Sequence, residues 1–152
     1  MKIAVGSDHA GFTLKEAVRA ELVRLGHEVT DVGTDSATES VDYPDFAIPV
    51  AERVARGEAE RGVVVCATGI GVSIAANKVR GVRASVVTSD ETARLTRQDN
   101  DSNVLALGGR TAPSVEAALR WVRIWLETPF AGERHLRRVD QIRDYEATHL
   151  KP

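Results

Sequence analysis

Gly62-Val63-Val64-Val65-Cys66, continuing as Ala67-Thr68-Gly69-Ile70-Gly71-Val72-Ser73-Ile74-Ala75-Ala76-Asn77-Lys78, decides how the rest of the chain is read. Three adjacent valines without a polar interruption describe a strand buried on both faces, as in a parallel sheet covered by helices. Gly69 and Gly71 break the run, and Val72–Lys78, rich in small residues, reads as a short helix ended by Gly81. A strand that turns through glycines into a helix sets polar groups at its carboxyl end. That is where open α/β sheets hold ligands.

The same pattern repeats outward. Ile3–Gly6 is a short apolar run, and Gly6-Ser7-Asp8-His9-Ala10-Gly11 carries it into a helix with Phe12, Leu14, Ala17, Val18, Leu22 and Leu25 at helical spacing, up to Gly26. Glu28–Val32 alternates as a second strand, ahead of a polar loop, Gly33–Asp42. Pro44 opens a second helix, in which Pro49 marks a kink or a later start. Arg83–Val87 reads as strand, Asp90–Arg97 as helix and Asn103–Leu107 as strand. Pro113 begins a long helix containing Trp121 and Trp125, whose spacing fits packing in a core or an interface. Glu133–Leu150 is a charged helix with a thin apolar stripe of Leu136, Val139, Ile142 and Tyr145, suited to a partner subunit or to solvent. Five strands alternating with helices predict a three-layer α/β/α sandwich, with a Rossmann-like five-stranded parallel sheet, in one domain over residues 1–152.

Composition sets the broad class. A chain of 152 residues, 43% hydrophobic and 28% charged, is an ordinary soluble domain able to bury a sizeable core. A net charge of −2 gives no electrostatic case for nucleic acid. The single cysteine forms no internal disulfide, which favours a reducing cytoplasm. No stretch approaches the roughly 18 apolar residues of a membrane span, and the opening apolar run is too short for a signal peptide. Four scattered histidines and one cysteine lack zinc-ligand spacing, so zinc is not expected.

Free cysteine commonly behaves as a small buried hydrophobe, and that reading fits the valine run. Cys66, however, closes the run and meets a Thr-Gly-x-Gly turn into a helix. A helix start favours thiolate there, and turn N–H groups can hold a developing oxyanion. Thr68 or Ser73 is placed to orient the thiol or donate to substrate. The loop lacks both the G-x-G-x-x-G register and a Walker lysine, which disfavours a nucleotide site. Asp8-His9 is an adjacent acid–base pair, although Asp8 also suits a helix cap and His9 a surface turn. Arg110 follows Gly108-Gly109 at another strand end, where the backbone can approach an anion closely. Arg134 and Arg138 share one helix face, as a phosphate grip or an ordinary solvated pair. Asn100 either binds sugar hydroxyls or makes a turn.

Several segments together resemble the type B ribose-5-phosphate isomerases, a family that includes galactose-6-phosphate and allose-6-phosphate isomerases. They are G-S-D-H-A-G-F at Gly6–Phe12, D-Y-P at Asp42–Pro44, the Cys66–Lys78 block, N-D-S-N-V-L-A-L-G-G-R at Asn100–Arg110 and R-H-L-R-R-V at Arg134–Val139. The resemblance spans nearly the whole chain. It implies metal-free, cofactor-free conversion of ribose 5-phosphate to ribulose 5-phosphate through a cis-enediolate. It implies Cys66 as the base between C1 and C2, with Thr68 beside it and backbone N–H groups of Gly69–Ser73, including Gly71, on the enediolate oxygen. A thiol, ordinarily ionising near ~8.5, suits a base working close to neutrality. Asp8, Tyr43 and Asn100 are implied as sugar contacts, and His9, Arg110, Arg134 and Arg138 as the phosphate grip. Homodimers or homotetramers with shared active sites are implied too, which would account for the last helix and the paired tryptophans.

One position departs from the family. Histidine usually stands where this chain has Asp99, in a Q-H-N-D stretch, and it is the expected catalyst of furanose opening. Unperturbed aspartate is ~2.6 pKa units more acidic than histidine, so near neutrality it accepts a proton but donates poorly. Three readings are open. Asp99 opens the ring with water or a raised pKa, in a slower ribose-5-phosphate isomerase. His135, beside Arg134, takes over. Or the substrate needs no opening, as with a tetrose 4-phosphate whose esterified O4 cannot close a furanose. A hexose 6-phosphate isomerase and a non-catalytic sugar-phosphate-binding module are further alternatives. Cys66 and Thr68 argue against the binding module, since a binder needs no base.

Overall fold

The valine run becomes the middle of the sheet. The structure, a computed structural model, describes residues 1–151. Its strands are β1 (Lys2–Ser7), β2 (Glu28–Asp31), β3 (Arg61–Cys66), β4 (Ala84–Val86) and β5 (Val104–Gly108). Its helices are α1 (Phe12–Arg24), α2 (Pro44–Ala55), α3 (Ile70–Ala76), α4 (Asp90–Gln98), α5 (Val115–Glu127) and α6 (Arg134–His149). The strands are all parallel, in the order β2-β1-β3-β5-β4, which makes the fold Rossmann-like. Val63 stands opposite Val5 on one side and Leu105 on the other. Among the described residues no helix is long and apolar enough to cross a membrane.

Strand alternation sorts the core into two layers. Ile3, Val5, Val63, Val65, Leu105 and Leu107 face α1 and α5, packing on Leu14, Val18, Trp121 and Trp125. Ala4, Val64, Cys66 and Ala106 face α2 and α3, packing on Val50, Ala51, Val72 and Ala76. The small residues of α3 thus let a short helix lie close on the sheet.

Element ends depart from the sequence reading for local reasons. Helix α3 starts at Ile70 rather than Val72, because Gly69 adopts φ +80° and turns the chain directly into the helix. Helix α5 starts at Val115 rather than Pro113, where the Ser114 side chain accepts the N–H of Ala117. Helix α2 begins at Pro44 and continues past Pro49, so the later start is excluded. Of the two readings of the tryptophans, the structure takes the core and not the subunit interface: Trp121 and Trp125 are 4% and 0% exposed. The Trp125 indole N–H donates to Ser102 Oγ at 3.0 Å, and the Arg61 guanidinium lies 5.0 Å from its ring. A partnered indole can be buried without an orphaned donor.

Helices α1 and α5 are also tied by charge. Glu21 is held by Arg24 at 2.6 Å and by Arg123 from α5 at 2.8 Å. Hydrogen bonds from Arg24, then Arg123, lower its carboxyl from 4.5 to about 2. This contribution to stability is therefore full above pH 4.5 and is lost as pH falls toward 2. Glu21→Gln is expected to flatten the acid limb of a Tm-versus-pH curve in that window. An acid limb identical to wild type would remove Glu21 from the account.

Helix α6 is attached differently. Val139 is its one buried residue among those described, while Leu136, Ile142 and Tyr145 are exposed. Polar contacts hold it instead: Arg143 lies 3.5 Å from Asp101, and Glu146 Oε1 accepts the Gly81 N–H at 3.2 Å.

Candidate active site

Three loops meet where β1, β3 and β5 end, and they meet backbone to backbone. The Asp8 N–H donates to Val65 O at 3.3 Å, Gly109 N–H to Cys66 O at 2.8 Å and Arg110 N–H to Ala67 O at 2.9 Å. Side chains would not fit between them. A Cβ on Gly11 would lie 2.5 Å from Val65 O, and one on Gly109 would lie 2.8 Å from Ala10 O. The chain leaves β1 toward β2 on one side and β3 on the other, so the loops border a topological switch point. A recess of about 240 Å³ beside them is lined by Ala10, Thr13, Gly109 and Ser114, among others.

Cys66 closes β3 with both proposed characters at once. It is 5% exposed and packs in the α2/α3 layer, yet its Sγ accepts the Gly69 N–H at 3.2 Å. Thr68 is exposed, and its Oγ1 accepts the Ile70 N–H at 3.2 Å. Ser73 is buried and donates its hydroxyl to Ile70 O at 2.8 Å. Neither hydroxyl makes a hydrogen bond to the sulfur among the described residues, which leaves donation to substrate as the other of the two expected roles. The Ser73 N–H is likewise spent on Gly69 O at 3.2 Å. Of the turn donors, Gly71 and Val72 keep N–H groups without an acceptor among the described residues. The Tyr43 ring covers this turn, since a Cβ on Gly71 would lie 2.7 Å from it.

The first loop supplies an acid and a donor. Asp8 is 7% exposed, and its Oδ1 accepts the Gly11 N–H at 2.9 Å, which closes the turn ahead of α1 and does not cap the helix itself, whose N-cap is Gly11. Its Oδ2 makes no hydrogen bond among the described residues. His9 is half-buried and accepts the Val41 N–H on Nδ1 at 3.2 Å, which assigns the proton of the neutral ring to Nε2. It is thus no loose turn residue. Arg110 is exposed and without an ion pair among the described residues.

The remaining candidates lie elsewhere. Helix α4 runs back against the strands, so Asp99 and Asn100 sit at the amino edge, just ahead of β5. Val104 pairs with Gly62 and Gly108 with Cys66, which puts the two edges about 13 Å apart at ~3.3 Å per residue. Helix α6 packs at the same amino edge, bringing Arg134, His135 and Arg138 with it. His135 Nε2 is 3.4 Å from Asp99 Oδ1. Arg134 and Arg138 are exposed and carry no ion pair among the described residues. One copy of the chain therefore holds the candidate residues in two groups on opposite edges of the sheet.

The amino-edge loop rests on a cluster that sequence reading missed. Asp101, at φ +49°, meets Arg97 at 2.8 Å, Arg83 at 3.3 Å and Arg143 at 3.5 Å. Arg97 is 6% exposed and also donates to Ser102 O at 2.6 Å. Burial lowers the Arg83 guanidinium, and burial followed by the like charge of Arg97 lowers that of Arg61 to about 10, still charged at neutrality. The i,i+4 spacing of Arg97 and Asp101 was the available signal, but it is shared by countless solvated pairs.

A family model described as Ribose/Galactose Isomerase matches residues 3–142. The chain belongs to that family. Ribose-5-phosphate isomerase B of Escherichia coli is 49% identical over 141 residues, covering 93% of each protein. The Clostridium thermocellum ribose-5-phosphate isomerase B structure superposes with TM-score 0.94 at 50% identity, over 98% of this chain and 99% of that one. A Mycoplasma genitalium ribose-5-phosphate isomerase B, solved with bound ribulose-5-phosphate, gives TM-score 0.91 at 40% identity over 96% of each chain. As a ribose/galactose isomerase family member the chain is an aldose–ketose isomerase of sugar phosphates.

Proposed function

We propose that this isomerase interconverts ribose 5-phosphate and ribulose 5-phosphate, with Cys66 as the base. The observation that carries the reading is the Cys66 sulfur itself, ending the central strand against the Gly69 N–H and beside two uncommitted amides. On the open aldehyde the thiolate takes the C2 hydrogen as C1=C2 forms and the carbonyl pair moves to O1. The Gly71 and Val72 N–H groups are the donors nearest to hand for that oxyanion. The new S–H then protonates C1, the O2 proton passes to O1, and the C2 carbonyl closes the cycle. Asp8 Oδ2 and the Tyr43 hydroxyl serve sugar hydroxyls, and His9 Nε2–H with Arg110 serves the phosphate. The names of the relatives support the substrate, as does the ribulose-5-phosphate bound in the Mycoplasma genitalium protein.

The rest of the site comes from a second copy. In a homodimer with two-fold symmetry, the amino edge of one protomer brings Asp99, Asn100, Arg134 and Arg138 to the carboxyl edge of its partner, and both sites are completed together. The exposed apolar residues support such burial: Leu136, Ile142 and Tyr145 on α6, and Ile70 with Ile74 on α3. The enzyme works as one domain, in the cytoplasm.

Mixing tests the sharing directly. Cys66→Ala and Arg138→Ala homodimers are each expected to be nearly inactive at low substrate. Dissociated and reassociated together, they should regain about a quarter of wild-type activity, because each mixed dimer then holds one intact site. No recovery, in a mixture shown to exchange subunits, would confine all these residues to one protomer. Failure of the wild type to turn over ribose 5-phosphate would overturn the substrate.

A further inference from the structure

An aldopentose 5-phosphate is held mostly as a furanose, so its carbonyl must be released before Cys66 can act. Opening removes a proton from the anomeric hydroxyl O1 and delivers one to O4 as the C1–O4 bond breaks. Both a base and an acid are needed at the same moment.

We infer that Asp99 and His135 perform this step as a dyad. His135 Nε2 lies 3.4 Å from Asp99 Oδ1, the one histidine–carboxylate contact of ion-pair length among the described residues. The side chains are 13% and 32% exposed, so both can reach a ligand. Asp99 is the C-cap of α4 and His135 belongs to the first turn of α6, so the fold has brought them together from distant segments. They stand among Asn100, Arg134 and Arg138, the polar and unpaired cationic groups of the same edge. The other histidines are occupied elsewhere. His9 takes the Val41 N–H, His27 lies against the amino terminus, and His149 packs on Tyr145.

Histidine changes charge near neutral pH and so can supply the proton that an aspartate alone supplies poorly. His135, as imidazolium, donates to O4, and the Asp99 carboxylate accepts the O1 proton. The C1–O4 pair leaves with oxygen, and the O1–H pair becomes the carbonyl bond. Protonated Asp99 then returns its proton to neutral His135 across their contact, which resets the dyad without any further reactant. The inference rests on the isomerase reading above and on the shared site.

Its test separates ring opening from enolisation. Ribulose 5-phosphate cannot close a furanose because its O5 is esterified, so exchange of its C1 hydrogen in D₂O needs Cys66 but no ring chemistry. His135→Asn and Asp99→Asn should each lower conversion of ribose 5-phosphate at least tenfold while holding C1 exchange within twofold of wild type. Intact exchange also shows that the variants fold and bind. A parallel fall in exchange and conversion would make the pair a positioning contact and overturn the dyad, leaving the isomerase standing. Unchanged conversion in both variants would overturn it too. Absence of exchange in the wild type would remove the isomerase reading, and the dyad with it.

Discussion

Cys66→Ala is expected to lower turnover of ribose 5-phosphate by about a thousandfold, inside the hundred- to ten-thousandfold range that a positioned base supplies. On the proposed reading the Cys66 sulfur is the group that takes the carbon-bound hydrogen. Thr68 and Ser73 have their hydroxyls engaged with the α3 backbone. Substrate affinity should change little, because the proposed phosphate contacts, His9 and Arg110, come from other loops. Alanine in the α2/α3 layer loses one atom among small residues, so stability should fall by roughly 1 kcal/mol. Cys66→Ser is the sharper variant: it keeps the shape and an acceptor for the Gly69 N–H, but offers an alcohol in place of a thiol. Single-turnover kinetics on both variants, with equilibrium binding of ribose 5-phosphate, checks the point. Near-normal turnover in the serine variant would remove sulfur from the mechanism.

Gly11→Ala should produce the largest loss of stability. Its Cβ would stand 2.5 Å from Val65 O, 2.6 Å from Val65 C and 2.9 Å from Cys66 N, all backbone atoms of β3. The central strand cannot yield, so the β1–α1 loop must. Such overpacking costs about 1–3 kcal/mol or more. In a chain of this size that corresponds to a Tm lower by roughly 3–10 °C. The displaced loop carries Asp8 and His9, so kcat/KM should fall even at temperatures where the variant is fully folded. Gly57→Ala is the contrast: it has φ +74° but nothing within 4 Å of the added carbon, so it should cost only backbone strain and leave activity alone. A Gly11→Ala protein as stable and active as wild type would mean that the loops are not in close contact.

The layers of the fold were legible because each core strand announces itself locally. Gly62–Cys66 could be little else than a strand buried on both sides, and the helices between strands carry their own spacing. The order of β4 and β5 was not legible, since no local pattern tells whether the fourth strand pairs with the third or stands outside the fifth. The carboxyl-edge candidates could be placed because Asp8, Cys66 and Arg110 each stand at or just after the end of an apolar run. The amino-edge half was visible as residues but not as a place. Asp99 and Arg138 look adjacent to the chemistry only through the family resemblance; the antiparallel course of α4 sets Asp99 on the far edge, and the packing of α6 there brings Arg138. Trp121 and Trp125 fitted core and interface equally until the indole of Trp125 was seen to meet Ser102. Arg97 escaped notice because arginine in a polar helix is ordinarily solvated, and its burial depends on the Asp101 carboxylate and the Ser102 carbonyl together.

If the two edges are shared as proposed, candidate groups on opposite rims also link catalysis to dilution. A lone protomer would then keep its sheet and its thiol yet idle for want of a neighbour, and specific activity would rise with enzyme concentration until every rim is met.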